Sequence, residues 1–363
     1  MRLPALCDKN RIYRMAMALR SKSRPHAHSG DYNGYPQGDK TVNKHLLNRR
    51  EFNARCAAFG LSFSGLSAIA AAQPSAQGPG AAAASKPAAR TVKLPDGTTV
   101  SALGQGCWHL GQNRHPPAVE EEALRLGISL GMTLLDTSGN YGNGRSEQLL
   151  SHVLSGERDR IFLVSKVEGD EVSGDGIARA CKASLTRLGT DHLDLYLLHW
   201  PVASSQFSGV VAGFEQLRTA GKIRAWGVSN FDVGQMEDLF RVPDGHRCAT
   251  NQVAYSPNNR KIEHDLLPWC KQHNVPVMAY SPLGGDKHLV VGDRTLAQIG
   301  ASHGCSAAAV ALAWVIRSGN VIAIPESGTP AHVKENAVAL AVALTPQDLQ
   351  SLNAAFPGPS GAT

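Results

Sequence analysis

From Thr91 onward the chain alternates between two hydrophobic periods. Short apolar runs recur along it: "ALGQGCW", "MTLLDTS", "IFLVSKV", "LDLYLLHW", "IRAWGVSN", "CATNQVAYS", "PVMAYSP" and "VIAIPES". They are β-rich and continuous. Between them lie stretches with helical spacing of apolar residues, such as "VEEEALRLGISLG", "RSEQLLSHVLSG", "GIARACKASLTRLG", "VVAGFEQLRTAG" and "IEHDLLPWCKQHN". A strand that is apolar on both faces belongs in a parallel sheet with helices packed outside it. Eight such units within residues 91–356 predict a (β/α)8 barrel. Ahead of them, "TVKLPDGTTVSALG" predicts a hairpin turning at Asp96-Gly97. A doubly wound sheet is the alternative, and it calls for a Gly-rich loop opening a helix after the first strand. "GQGCW" has two glycines there, no third, and no clear helix directly behind it.

Upstream the periodicity stops. Residues 1–44 are basic, polar and rich in Gly, Asn, Ser and His, and they read as a disordered leader. A start nearer Val42 would leave that leader untranslated. Within residues 45–72, Arg49-Arg50-Glu51-Phe52 precedes a weakly apolar run, Cys56–Ala72, that contains five Gly or Ser residues. This segment resembles a twin-arginine export signal, with Asn48 where Ser or Thr is usual. Ala70-Ala71-Ala72 offers a small-residue cleavage site. The run is too short and too polar for a stable span, which needs about 20 predominantly apolar residues. Residues 73–90 form a Pro/Gly/Ala linker. The expected address is the periplasm, with the translocase as a partner; a cytoplasmic location is the alternative.

Charge separates the same two regions. The formal charge of the whole chain is +6, but residues 1–90 carry 14 Lys+Arg against 4 Asp+Glu, a net of +10. Residues 91–363 carry 22 against 26, a net of −4, so the main domain offers no basic surface for nucleic acid. The cysteines, Cys7, Cys56, Cys107, Cys181, Cys248, Cys270 and Cys305, are scattered and odd in number. They resemble neither a disulfide framework nor a metal site.

In a (β/α)8 barrel the chemistry sits at the C-terminal ends of the strands. Reading those ends gives Asp136, with Tyr141 in the loop beyond, then Lys166, His199-Trp200, Ser229-Asn230, Gln252, Tyr280-Ser281 and Pro325-Glu326-Ser327. Asp136, Tyr141, Lys166 and His199 form a set suited to carbonyl reduction. A Lys ammonium is expected to lower the pKa of a neighbouring Tyr, a buried Asp to balance the Lys, and a His to orient a carbonyl oxygen. No metal is needed. Each residue also has a plainer reading: a structural Asp–Lys pair, a core histidine, a loop aromatic.

The sequence resembles the aldo-keto reductase family over nearly all of 91–356. The resemblance is carried by "LLDTSGNYGNGRSEQLLS", "LDLYLLHWP", "GKIRAWGVSNF", "MAYSPLGG" and "AIPESGTPAHVKEN". It implies that Tyr141 is the proton donor, that Lys166 and Asp136 tune it, and that His199 orients substrate. It also implies a nicotinamide cofactor, NADPH or NADH. Tyr280 would stack on its ring, with Ser229, Asn230 and Gln252 at the carboxamide. Ser281 and Leu283 would lie along the pyrophosphate, Glu326, Ser327 and His332 near the ribose, and Glu335 and Asn336 at the adenine. Trp108 and Trp200 would wall the substrate pocket; the plainer reading of both, and of Trp200 in particular, is a core packing aromatic. "CWHLGQ", "CATNQVAYS", "IEHDLLPWC" and "AFPGP" are most similar to a bacterial branch that reduces methylglyoxal and other small aldehydes.

One departure concerns the cofactor. Family members that prefer NADPH carry a Lys and an Arg where this chain has Glu326 and His332. A carboxylate repels a 2′-phosphate but can accept from a free ribose 2′-hydroxyl, so a weakened NADPH preference is expected. The expected protein is a monomeric enzyme acting on a small carbonyl. A dinucleotide-binding regulatory barrel with little turnover, or physiological alcohol oxidation, would use the same residues.

Overall fold

The computed structural model describes residues 90–359, except 173 and 286–288. The chain divides into two units, Met1–Ala81 and Ala82–Thr363, and the described residues belong to the second. The leader, signal and most of the linker lie outside the described residues.

β1 (Thr91–Lys93) and β2 (Thr99–Ser101) pair antiparallel as the expected hairpin. Gly97 takes φ +91°, and the Asp96 carboxylate accepts from both the N–H and the hydroxyl of Thr98 at 2.9 Å. Eight parallel strands follow: β3 (Gln105–Gly106), β4 (Leu134–Asp136), β5 (Phe162–Val167), β6 (Leu193–Leu198), β7 (Ile223–Ser229), β8 (Asn251–Ala254), β9 (Val277–Tyr280) and β10 (Val321–Ala323). They neighbour one another in chain order. Gly104 N–H donates to Ala323 O at 2.8 Å and Gly106 N–H to Pro325 O at 2.9 Å, which joins the last strand to the first and closes the barrel.

The closure explains "GQG". A Cβ on Gly104 would lie 2.8 Å from Leu134 O, and one on Gly106 would lie 2.9 Å from Ile324 O. Gly106 thus permits close backbone approach at the seam, and Gly104 permits it against β4 on the other side. The doubly wound alternative is thereby set aside.

Among the described residues the helices are α1 (Pro117–Ser129), α2 (Arg145–Leu154), α3 (Gly176–Leu188), α4 (Phe207–Thr219), α5 (Val233–Arg241), α6 (Leu266–Gln272), α7 (Arg294–His303), α8 (Ala307–Val315), α9 (Pro330–Ala337) and α10 (Pro346–Ala355). α6 is shorter than "IEHDLLPWCKQHN" suggests. Pro268 lacks an N–H and is tolerated only in a first helical turn. The helix therefore begins at Leu266, after a 3-10 turn at Lys261–Glu263. α8 is apolar all round and buried.

Strand alternation assigns the side chains. On β5, Lys166 points inward while Ser165 donates outward to Glu147 of α2 at 2.7 Å. At the opposite end of the barrel, buried Asp194 pairs with Arg158 at 2.9 Å and Arg224 at 3.0 Å, an arrangement that serves stability.

Candidate active site

Eight of the polar residues predicted at the strand ends, Asp136, Tyr141, Lys166, His199, Ser229, Asn230, Gln252 and Tyr280, form one connected network; Ser281, Glu326 and Ser327 stand outside it. Lys166 is buried at the end of β5. Its ammonium donates to Asp136 Oδ1 at 2.7 Å, Thr137 O at 2.8 Å and Tyr141 Oη at 3.0 Å. These three acceptors use all three of its hydrogens. The other Asp136 oxygen accepts from Gln252 Nε2 at 2.7 Å. A buried ion pair survives only when its remaining lone pairs are satisfied, and this one meets that condition.

Tyr141 reaches Lys166 because its loop curls tightly. Gly142, Asn143 and Gly144 take φ of +58°, +57° and +84° in succession. A Cβ on Gly144 would lie 2.6 Å from the Arg187 side chain. That Arg187 donates to Glu147 Oε2 at 2.6 Å, tying the loop and α2 to α3.

Burial pushes the Tyr141 phenol up to about 12; the Lys166 ammonium pulls it down and is outweighed. The expectation of a lowered phenol is therefore corrected, since burial was not legible in the sequence. At neutral pH Tyr141 is a neutral phenol that still holds its proton. For Lys166, burial favours the neutral amine, but the Asp136 carboxylate and Tyr141 more than offset it, and the ammonium is held above its ordinary range.

His199 follows β6. Its N–H donates to Val167 O at 2.9 Å, and its ring meets Tyr141 edge-on with centroids 5.7 Å apart. Trp108 and Trp200 are half-exposed at the same rim, at 52% and 48% of their surface, so neither is a core aromatic. Trp108 stacks on His109 and Trp200 on His199.

The residues expected around a nicotinamide also come together. Tyr280 Oη donates to Asn230 Oδ1 at 2.9 Å. Asn230 Nδ2 donates to Ser229 Oγ at 3.0 Å and His199 O at 3.1 Å, and Ser229 Oγ donates to Gln252 O at 2.8 Å. Asn230 takes φ +66°, which turns its amide back over the strand ends. Ser229 Oγ and Asn230 Oδ1 each keep a lone pair, so the set fits an amide-bearing ring.

Beyond β9, Ser281 takes φ +48° and Leu283 O accepts from Val290 N–H at 3.0 Å across a short loop. Ser327 Oγ accepts from Thr329 N–H at 3.2 Å just before α9. On α9, His332 and Glu335 are exposed and Asn336 is buried.

Glu326 does not point to solvent. Its Oε2 accepts from His109 N–H at 3.0 Å, and its Oε1 meets His109 Nδ1 at 2.8 Å. Both oxygens are thus engaged by the loop that carries Trp108. Two further residues went unseen in the sequence: His109, and Glu168, whose carboxylate meets the His199 ring. For Glu168 a signal existed. It stands two positions after Lys166, and strand alternation puts i and i+2 on one face.

A closed eight-stranded parallel barrel with a buried Asp–Lys–Tyr cluster and a His at its C-terminal rim is the architecture of a carbonyl-active oxidoreductase. Residues 102–356 match the aldo/keto reductase family, and the chain belongs to it. It is 45% identical over 277 residues to methylglyoxal reductase YeaE of Escherichia coli (strain K12), covering 76% of this chain and 97% of that protein. With glyoxal reductase of Bacillus subtilis (strain 168) it shares 30% identity over 264 residues, 73% of this chain and 92% of that one. An aldo-keto reductase from Klebsiella pneumoniae, crystallised with NADPH, superposes with a TM-score of 0.73 at 41% identity, covering 76% of this chain and 98% of that chain.

Proposed function

We propose that this chain reduces small aldehydes of the methylglyoxal kind to alcohols, with a nicotinamide cofactor and Tyr141 as the proton donor. The observation that carries the reading is the Lys166 ammonium. Because Tyr141 Oη accepts a hydrogen from it, the phenol's own O–H is free to face a carbonyl oxygen. When bound, the reduced nicotinamide supplies the hydride. Tyr141 gives its proton to the oxygen as charge develops there, and Lys166 stabilises the phenolate left behind. Asp136 keeps Lys166 charged, His199 orients the carbonyl, and Trp108 and Trp200 shape the pocket. The resemblance to the methylglyoxal and glyoxal reductases supports the substrate class.

NADPH preference is weakened by Glu326 and His332. Support comes from the fixed Glu326 carboxylate, which His109 holds at the end of β10 where a 2′-phosphate would approach. The test follows loss of NADH and NADPH absorbance in parallel with methylglyoxal. NADH is expected to serve at least as well as NADPH. Glu326→Lys should move the kcat/KM ratio toward NADPH by about tenfold or more, roughly 1.4 kcal/mol. A wild-type preference for NADPH of a hundredfold would sink the cofactor assignment. Tight dinucleotide binding with no turnover on any small carbonyl would favour a regulatory barrel.

Residues 45–72 are assigned to twin-arginine export. That route carries folded proteins, so the enzyme could cross with its dinucleotide bound. Cell fractionation should find periplasmic protein that disappears in the Arg49→Lys/Arg50→Lys variant. Wild-type protein found in the cytoplasmic fraction would overturn the export reading, and the same distribution in both would leave the arginine pair without a role.

A further inference from the structure

Glu168 caps β5 at the mouth of the barrel, and its Oε1 lies 2.5 Å from His199 Nδ1. Both side chains are largely enclosed, at 23% and 12% exposure. The histidine is otherwise held by its backbone and by the flanking rings of Tyr141 and Trp200. A carboxylate in its ionised form can only accept, and against such a group the hydrogen in this contact belongs to Nδ1. A neutral imidazole with its hydrogen on Nδ1 has a bare lone pair on Nε2. Such a ring cannot donate to a carbonyl oxygen. It can do so only after taking a second proton, and the adjacent carboxylate is the group that stabilises that charge.

We propose that Glu168 is a positioning residue that holds His199 as a doubly protonated ring, with Nδ1–H given to Glu168 and Nε2–H offered to the substrate oxygen. The inference rests on the reductase reading above. No proton leaves His199 in the cycle. The ring donates a hydrogen bond, while the proton that ends on the product oxygen comes from Tyr141. The arrangement adds positive charge beside the developing alkoxide without a metal. The other titratable groups of the site do not substitute for Glu168. Asp136 is committed to Lys166 at 2.7 Å and to Gln252 at 2.7 Å, and Tyr141 is a neutral phenol. Asn230, which donates to the His199 carbonyl at 3.1 Å, is uncharged.

The test uses the full chain, with Glu168→Gln and Glu168→Asp, and two readouts. The first is nitrogen-detected NMR of the histidine rings at neutral pH, with the His199 signal assigned by its loss in His199→Asn. Wild type should show His199 protonated on both nitrogens. Glu168→Gln should leave it singly protonated, and Glu168→Asp should restore part of the wild-type signal. The second readout is the pH profile of kcat/KM for methylglyoxal reduction. Activity that needs the charged ring is lost as pH rises. Without the carboxylate that loss begins at lower pH, so the alkaline limb of Glu168→Gln should move down by about one unit or more. Loss of a merely structural contact would lower activity or melting temperature at every pH and leave the limb in place. A His199 ring in wild type with hydrogen on Nε2 alone overturns the proposal, as does a Glu168→Gln variant with unchanged ring signal and unchanged limb. The NMR result stands without turnover, so an inactive wild type would defeat the reductase reading and not this one. If Glu168→Gln does not fold, the wild-type spectrum and Glu168→Asp decide the matter.

Discussion

Tyr141→Phe is expected to lower carbonyl reduction by about 10²–10⁴-fold while leaving dinucleotide affinity nearly unchanged. The substitution removes one oxygen and nothing else of the ring. The edge-on contact with His199, at 5.7 Å between centroids, is available to Phe as well. Lys166 keeps two of its three acceptors, Asp136 Oδ1 and Thr137 O. The structural cost is one buried hydrogen bond, about 1 kcal/mol, which should lower Tm by only a few degrees. What disappears is the proton itself. The phenol, pushed by burial to about 12, is fully protonated at neutral pH, so no fraction of the wild-type enzyme is lost to a resting phenolate. The same burial makes the phenolate formed during reduction costly, and the Lys166 ammonium at 3.0 Å offsets that cost when it arises. Steady-state kinetics together with a fluorescence titration of cofactor separate the two quantities. A variant that retains wild-type kcat would remove Tyr141 from the chemistry. A variant that loses cofactor binding in parallel would make it a structural residue of the pocket.

The positions of Asp136, Lys166 and His199 were legible because a parallel barrel strand is apolar on both faces until it ends. A charged or polar residue that closes such a run has one place to go, the C-terminal rim. Tyr141 was legible only as an aromatic in the loop beyond β4; the glycines beside it, which the structure shows in left-handed conformations, are what curl that loop back to Lys166. Side-chain direction was not legible. Glu326 could have faced a ribose or solvent; it turns instead to His109, a contact between residues 217 positions apart. Glu168 joins His199 across 31 positions, between the ends of neighbouring strands. The two glycines of "GQG" carried an ambiguous signal because close approach to a phosphate and close approach to another strand both demand a missing Cβ. Only the closed barrel shows which neighbour is there. The direction of the Tyr141 shift was missed for a related reason. A charge partner can be guessed from spacing, but desolvation depends on everything packed around the group.

Lys166→Met should be the most damaging single change for stability and activity together. It deletes an ammonium that serves three acceptors and leaves the buried Asp136 carboxylate with the neutral Gln252 amide in place of its cation. Breaking a buried pair from one side costs about 3–5 kcal/mol, which for a domain of this size lowers Tm by roughly 10 °C. Activity should fall by about 10²-fold or more, since Tyr141 loses both its anchor and its electrostatic support. The double variant Asp136→Asn/Lys166→Met separates these effects. Asn keeps an acceptor for Gln252 and carries no charge, and uncharged replacements of a buried pair are often neutral for stability. Thermal melting should therefore recover most of the lost Tm in the double variant, while reduction of methylglyoxal stays as low as in Lys166→Met. A single variant that melts like wild type would mean that the buried pair contributes little to the fold. A double variant that regains activity would mean that the ammonium acts only by satisfying Asp136, and the electrostatic support assigned to it for the Tyr141 phenolate would have to be withdrawn.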